Sequence, residues 1–397
     1  MAAPSSLYRN AIDLNRYSNS VAKQIVLAYN DIIIDSVNQL RAIDELSAPA
    51  KTARLRAILA QLKESLGTWS GSSVNTLTGE LQGLAVLQSE FVEDQLRRVL
   101  PAGARSAVNT VEISPQFAQS VVMTDPTQIN IVTLSDDLTA AIQGAPQTYA
   151  LTAAKGATVT LPNGQVVQKA FRGIVDSQAE MFSQIVRNGL LTGESTQDIA
   201  RRLIGRLQLG ERGSIRQIAE KGGEATIASN RQVMTLVRTS VNQVANAASQ
   251  QVYEANQDIT KRYQYVATLD TRTSAICASL DGRIFEYGKG PTPPQHFNCR
   301  STTVPVIDYK ELGFNPPPEG KRQSMDGRVP ADTSYGQWLA GQSEATKATV
   351  LGKEKVAYFD LLSKKYGPKD AMAKLVRDDG SELTLEQLRR RYGAAES

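Results

Sequence analysis

Residues 235–256 read TLVRTSVNQVANAASQQVYEAN. They lie inside a run, 225–257, that predicts one long helix rich in small residues, which let neighbouring helices approach closely. A helix of this length organises whatever surrounds it. Further helices that pack on it are therefore expected in the flanking sequence, up to the points at which helical periodicity stops.

Upstream, 209–224 (LGERGSIRQIAEKGGE) is punctuated by glycine, and GESTQDIARRLIG places Ser195 three residues before Asp198, a capping-box-like helix start. Residues 171–191 are amphipathic, with a break expected at Asn188-Gly189. The character changes over 102–170. VNTVEISPQ, INIVTL and ATVTLPNGQVV are short, β-branched and separated by turn residues. Asn163-Gly164 is a hairpin signal, and Pro162 beside it points to an edge or a longer loop, so this region reads as a β insertion or an extended arm.

Residues 1–101 return to helical spacing in three stripes. The first is Ile25, Tyr29, Ile32, Ile33, Val37 and Leu40; the second is Leu55, Ile58, Leu59, Leu62 and Leu66, after a Ser47-Ala48-Pro49 start; the third is Leu77, Leu81, Leu84, Phe91 and Leu100, stopped by Pro101 and Gly103. Core packing explains such stripes, and their length leaves room for one face to dock on a partner.

Downstream of the long helix, RYQYVATLD, GRIFEY and STTVPVID predict strands within 260–308. Pro316-Pro317-Pro318 lies in an extended connection over 310–331. Residues 332–393 are helical again, with Thr384 and Gln387 as a capping-box pair. The fold class is thus mainly α-helical, multidomain α+β, with a small β-rich segment near 260–308. Four regions follow: N-terminal helices over 1–101, the β or extended insertion over 102–170, a domain over 171–308, and a proline-rich connection with a helical tail over 309–397.

The chain has 397 residues, 41% of them hydrophobic, enough for more than one packed core. A net charge of +4 permits contact with nucleic acid without implying it. Two cysteines exclude a disulfide framework and suit a reducing compartment. No apolar run reaches the roughly 18 residues of a membrane span, and the N-terminus lacks the basic and apolar regions of a signal peptide. A soluble, non-secreted chain is expected.

The chemistry-bearing residues gather in one segment. Cys277, His296, the sole histidine, and Cys299 carry zinc-ligand side chains. They number three where a structural site wants four, since Ser274 and Ser301 occupy the places of further thiols. Asp270 or Asp281 is available as a fourth ligand, a disulfide is a second option, and buried thiols with a turn-bonding histidine a third. The last is preferred, so no cofactor is expected and zinc stays an alternative. Asp270, Arg272, Asp281 and Arg300 read as ion pairs that fix loops, and Asp281-Gly282 as a tight turn. Basic clusters at Arg201-Arg202, Arg238, the lysines of 353–374 and Arg389–Arg391 are interleaved with acids, as on a solvated helix face. No GxxxxGK[ST], HExxH, EF-hand or GxSxG motif occurs.

Taken in order, the Arg238-Thr239 of the long helix, the run LDTRTSAICASLDGRIF (269–285) and the run PPQHFNCRSTTVPV (293–306) resemble the C-terminal half of the phage Mu F-like minor head proteins, the phage head morphogenesis family. YGQWLAGQSEATKATVLG (335–352) is similar to a segment that follows in many members, so the resemblance spans roughly 165–392. The matching positions are Arg238, Thr239, Asp270, Arg272, Cys277, Leu280, Asp281, Gly282, Pro294, His296, Asn298, Cys299, Arg300, Trp338 and Leu339. Many members carry cysteines where this chain has Ser274 and Ser301.

The resemblance implies a structural, non-enzymatic minor capsid protein of a tailed bacteriophage, located in the virion head near the portal or capsid interior and assembled in the host cytoplasm. Implied partners are the portal protein, the major capsid protein and other virion proteins, with packaged DNA as a non-specific contact and no membrane. Its implied role is head assembly, extending to DNA packaging or ejection. The alternatives are an internal DNA-binding or ejected virion protein, and an enzyme (a transferase or nuclease) centred on His296.

Overall fold

The computed structural model describes residues 5–43, 46–118, 151–153, 157–159, 167–316, 320–377 and 380–395. Two long helices open the chain: α1, Ser5–Arg41, and α2, Ala48–Val99. Their contacts run in opposite directions along the sequence. Asn10 Nδ2 donates to Gln88 Oε1 (2.9 Å), Tyr17 OH to Glu80 Oε2 (2.6 Å) and Trp69 Nε1 to the Ile25 carbonyl (3.1 Å). The pair is therefore antiparallel, as its short connection requires.

The second and third N-terminal stripes belong to one 52-residue helix rather than two. Gly67, Gly71, Gly79 and Gly83 lie inside it without ending it. A helical glycine costs about 1 kcal/mol against alanine, and the continuous apolar stripe through Leu62, Leu66, Trp69, Leu77 and Leu81, all buried, overrides that cost.

A short 3-10 turn, Ala102–Ala107, follows. VNTVEISPQ forms no strand. Its backbone amides are taken by side chains instead: Asn109 N donates to Asn256 Oδ1 (2.7 Å) and Val111 N to Glu93 Oε1 (2.7 Å). With those donors consumed, no ladder forms. Strands β1, Leu151–Ala153, and β2, Ala157–Val159, pair antiparallel. INIVTL, Pro162 and the Asn163-Gly164 turn lie outside the described residues.

Helix α3, Val167–Leu191, runs through the expected break at Asn188-Gly189. Gly189 serves close packing there, since a Cβ at this position would lie 2.5 Å from Ile199 Cγ1. Helix α4, Thr196–Ile204, is capped by Ser195, whose Oγ accepts from Asp198 N (3.2 Å), as its sequence predicts. Helix α5, Ile215–Lys221, leads to α6, Glu224–Ala255, the organising helix. One core joins these elements. Tyr29, Ile33 and Val37 of α1, Leu66 and Trp69 of α2, Phe171 and Phe182 of α3, Ile199 of α4 and Val237, Val244 and Ala248 of α6 are all buried in it. The N-terminal stripes are thus spent on an internal core, and the helices before residue 101 and after residue 171 share it.

Strand β3, Thr260–Val266, is central in a three-stranded antiparallel sheet, with β4, Ile284–Glu286, on one side and β5, Thr302–Ile307, on the other. Between β3 and β4 sits α7, Ala275–Leu280. The 310–331 stretch is not wholly extended. Strands β6, Lys321–Ser324, and β7, Gly327–Pro330, form a hairpin with Met325-Asp326 as its two-residue turn, and Gly327, paired with Ser324, takes φ 121°. Pro317 and Pro318 lie outside the described residues.

The tail comprises α8, Tyr335–Ala340, α9, Glu344–Leu351, α10, Lys353–Tyr366, α11, Pro368–Lys374, and α12, Leu385–Tyr392. It has its own core around Trp338, Leu339, Phe359, Leu362, Met372 and Leu388. Thr384 and Gln387 form the expected capping box. The architecture is mainly helical α+β with small antiparallel sheets. No described helix is long and apolar enough to cross a membrane.

Candidate functional site

The site is built from α6, α7 and the closing run 293–306. Helix α6 presents a polar edge to that run. Asn298 N donates to Thr239 Oγ1 (3.0 Å) and Asn298 Nδ2 to Thr235 Oγ1 (3.0 Å). Farther along, Asn242 Nδ2 donates to the Ser301 carbonyl (2.8 Å) and Gln250 Nε2 to Thr303 Oγ1 (3.0 Å). Asn298 takes a left-handed conformation, φ 57°, which asparagine tolerates better than most residues. The chain turns there and brings Cys299 back beside His296, with Cys299 N donating to the His296 carbonyl (3.2 Å). Pro294 is buried behind a cis Pro293–Pro294 bond.

Ser274 is the N-cap of α7. Its Oγ lies 2.7 Å from His296 Nε2, and Cys277 Sγ lies 3.3 Å from the same nitrogen. Cys277 Sγ and Cys299 Sγ are 3.7 Å apart as free thiols, so the disulfide option is not taken. His296 Nδ1 is 2.8 Å from the Phe297 carbonyl, and the Tyr265 hydroxyl is 3.3 Å from Cys277 Sγ. Both cysteines are buried among Tyr265, Ala267 and Leu280.

Burial pushes the Cys277 thiol well above its usual range, and the neighbouring Cys299 adds to the shift. Cys299 goes the other way. Burial opposes its thiolate, but hydrogen bonds with Cys277 and His296 outweigh burial and bring it well below the usual range. His296 is raised: burial works against its cation, and Cys299 more than offsets burial.

The two aspartates stand apart from the sulfurs. Asp270 pairs with Arg300 through two bonds (2.5 and 2.8 Å) and accepts from Arg272 N (3.0 Å). Burial raises its pKa, but Arg300 wins and the carboxyl sits below its ordinary value. Asp281 faces Arg322 at 3.0 and 3.1 Å, and also accepts from Ala267 N and Tyr335 N, each at 2.6 Å. With both engaged in ion pairs, neither serves as a fourth ligand to the Cys–His group. Arg322 completes its set with the carbonyls of Thr333 (2.9 Å) and Ala267. It is the residue sequence reasoning misses: it lies 41 positions from its partner, in a stretch that reads as linker.

Gly282, at φ 75°, makes the turn after Asp281, and its carbonyl accepts from Lys369 Nζ (2.8 Å). Trp338 Nε1 donates to Asp326 Oδ2 (2.9 Å), while Leu339 is buried in the tail core. Arg238 bonds the neutral Asn19 Oδ1 (3.0 and 2.8 Å). Burial, then the positive fields of Arg272 and Arg300, lower its pKa, which places three guanidinium groups in one neighbourhood.

These features define a class: a helical scaffold whose longest polar helix edge grips a small sheet and a Cys–His cluster through internal hydrogen bonds. Residues 180–304 match the family described as Phage Mu protein F like protein, and the resemblance read from the motif order is borne out over that segment. Trp338 and Leu339 fall outside it. The family is one of phage head morphogenesis, with a structural role and a virion setting.

An uncharacterized protein of Haemophilus influenzae is 42% identical over 55 residues, 13% of this chain and 12% of that one. An NAD(+)–arginine ADP-ribosyltransferase, EFV, of Enterococcus faecalis is 25% identical over 198 residues, 46% of this chain and 36% of that one. The chain thus spans only 12% and 36% of these relatives' lengths. No solved structure matches it.

Proposed function

We propose that this chain is a structural minor head protein of a tailed bacteriophage, placed near the portal or the capsid interior, with portal, major capsid and other virion proteins as its neighbours. The observation that carries the reading is the family match over residues 180–304. Its physical support is the use of the motif residues. Thr239, Asp270, Asp281, Asn298 and Arg300 are all engaged in bonds that hold elements of this chain together. Such groups build a rigid body that can be gripped by neighbours. Mass spectrometry of purified heads tests the reading: the chain is expected in mature particles at low copy, and its absence from them would end the proposal.

A second reading is NAD(+)–arginine ADP-ribosyl transfer, favoured by the identity with the Enterococcus faecalis enzyme. That likeness covers 36% of the enzyme. Incubation of the purified chain with labelled NAD(+) and an arginine-bearing acceptor separates the two. No label transfer is expected on the structural reading.

A further inference from the structure

We propose that Cys277, His296 and Cys299 hold a zinc ion that pins the closing run to α7. Counting residues leaves the ligand set one short; the geometry makes the case that counting cannot. The three donor atoms all lie within 4.8 Å of one another. Zinc sits about 2.3 Å from thiolate sulfur and about 2.0–2.1 Å from imidazole nitrogen, so a tetrahedral ion sets donor–donor edges of about 3.8 Å between two sulfurs and about 3.6 Å between sulfur and nitrogen. The edges here are 3.7 Å between the sulfurs and 3.3 Å from Cys277 Sγ to His296 Nε2. The third edge, from Cys299 Sγ to His296 Nε2, is within 4.8 Å, so it closes by at most about 1.2 Å to reach the sulfur–nitrogen length.

The surroundings are those of a ligand set. His296 Nδ1 faces the Phe297 carbonyl at 2.8 Å, which places the ring proton on Nδ1 and leaves the Nε2 lone pair to the side of Ser274 Oγ (2.7 Å) and Cys277 Sγ (3.3 Å). The Tyr265 hydroxyl lies 3.3 Å from Cys277 Sγ, within reach to donate to a metal-bound thiolate there. Cys277 rides on a capped helix, and Cys299 follows the turn that Asn298 anchors to Thr235 and Thr239. The donors are therefore oriented before any ion arrives. Ser274 Oγ marks the fourth corner, 2.7 Å from His296 Nε2. A neutral hydroxyl is a weak zinc ligand, so the fourth donor is a water that Ser274 holds. Burial of both sulfurs makes the ion structural, closed to substrates.

Metal analysis of the full chain, purified under reducing conditions without chelator, is expected to find one zinc per chain. Cobalt(II) added to the chelator-treated chain is expected to give thiolate-to-metal charge transfer and the visible bands of a tetrahedral ion, both abolished by added zinc. Cys299→Ser roughly halves the charge transfer, since Cys277 remains as a thiolate; Tyr265→Phe retains it and weakens zinc by ~10-fold, the scale of an outer-shell loss. Ser274→Cys tightens zinc in competition with a chelator. A folded chain, by circular dichroism, with no zinc and no cobalt–thiolate band overturns the proposal and leaves two buried thiols beside a turn-bonding histidine. Should Cys299→Ser fail to fold, the cobalt titration of the unaltered chain still decides.

Discussion

Asp281 carries more of this structure than its place in a turn indicates. Its carboxylate accepts from two backbone amides and from both arms of the Arg322 guanidinium, and so joins β3, α7, β6 and the start of α8. The two side chains are 0% and 4% exposed, so removing one strands the other without water. Such a loss costs about 3–5 kcal/mol, whereas replacing both by apolar residues costs far less. Asp281→Ala is expected to lower unfolding free energy by at least that amount in urea titrations, and Asp281→Leu with Arg322→Met to recover only the part due to the stranded charge, because the amides of Ala267 and Tyr335 then lose their acceptor.

Asp270 makes a separate, pH-dependent contribution. Its folded pKa lies below the ordinary carboxylate value because of Arg300. The pair therefore stabilises fully above the unfolded value, near 3.9 for aspartate, and the stability is lost as pH falls through the folded value. Asp270→Asn should reduce stability at neutral pH by about 1–3 kcal/mol and flatten the acid limb of a stability–pH curve. An unchanged acid limb would count against the pairing.

Elements were legible in the sequence where periodicity and partners are local. The helix at 224–255 and the strands at 260–266, 284–286 and 302–307 follow their residue types. The misses share a cause, because distant contacts decide them. Two separate stripes, Leu55–Leu66 and Leu77–Leu100, suggest two helices, yet the apolar face packed on α1 and α6 keeps α2 whole. β-branched residues at 108–116 suggest a strand, yet Glu93 and Asn256 take the amides. The 321–330 hairpin hides in an apparent linker, and so does Arg322. At the site, residue types marked the Cys–His trio, but only folding brings Ser274 to His296 and Thr239 to Asn298.

Two glycines test the same logic from opposite sides. Gly79 in α2 has open space where a Cβ would go, so Gly79→Ala should stabilise by about 1 kcal/mol. Gly336 in α8 would place a Cβ 2.0 Å from the Pro368 carbonyl oxygen, at the joint between α8 and α11. Gly336→Ala should destabilise by about 1–3 kcal/mol, the scale of overpacking. Thermal melts of the two variants are expected to shift in opposite directions.

At the scale of the whole molecule, the charge distribution bears on whether the chain contacts nucleic acid at all. Its net charge is +4, and several of its basic side chains are already answered internally. Arg201 faces Asp198 at 3.3 Å, Arg202 faces Glu194 at 2.9 Å and Glu224 at 3.1 Å, Lys347 faces Asp360 at 3.0 Å, and Lys355 faces Glu382 at 2.5 Å. Arg389–Arg391 close α12, where positive charge suits the helix end. The neighbourhood of Arg238, Arg272 and Arg300 is the exception, since Arg238 has a neutral partner. Arg300 is held by Asp270, so the two phosphate contacts left to Arg238 and Arg272 give a slope of log affinity against log salt of about −1.8. Duplex binding by the purified chain is therefore expected to be weak, insensitive to sequence, and no steeper in salt than about −2. Arg238→Ala should make the slope shallower by about one contact. A much steeper slope would mean that the ion-paired helix faces open to meet DNA, and would move the chain from a structural head component towards an internal DNA-binding one.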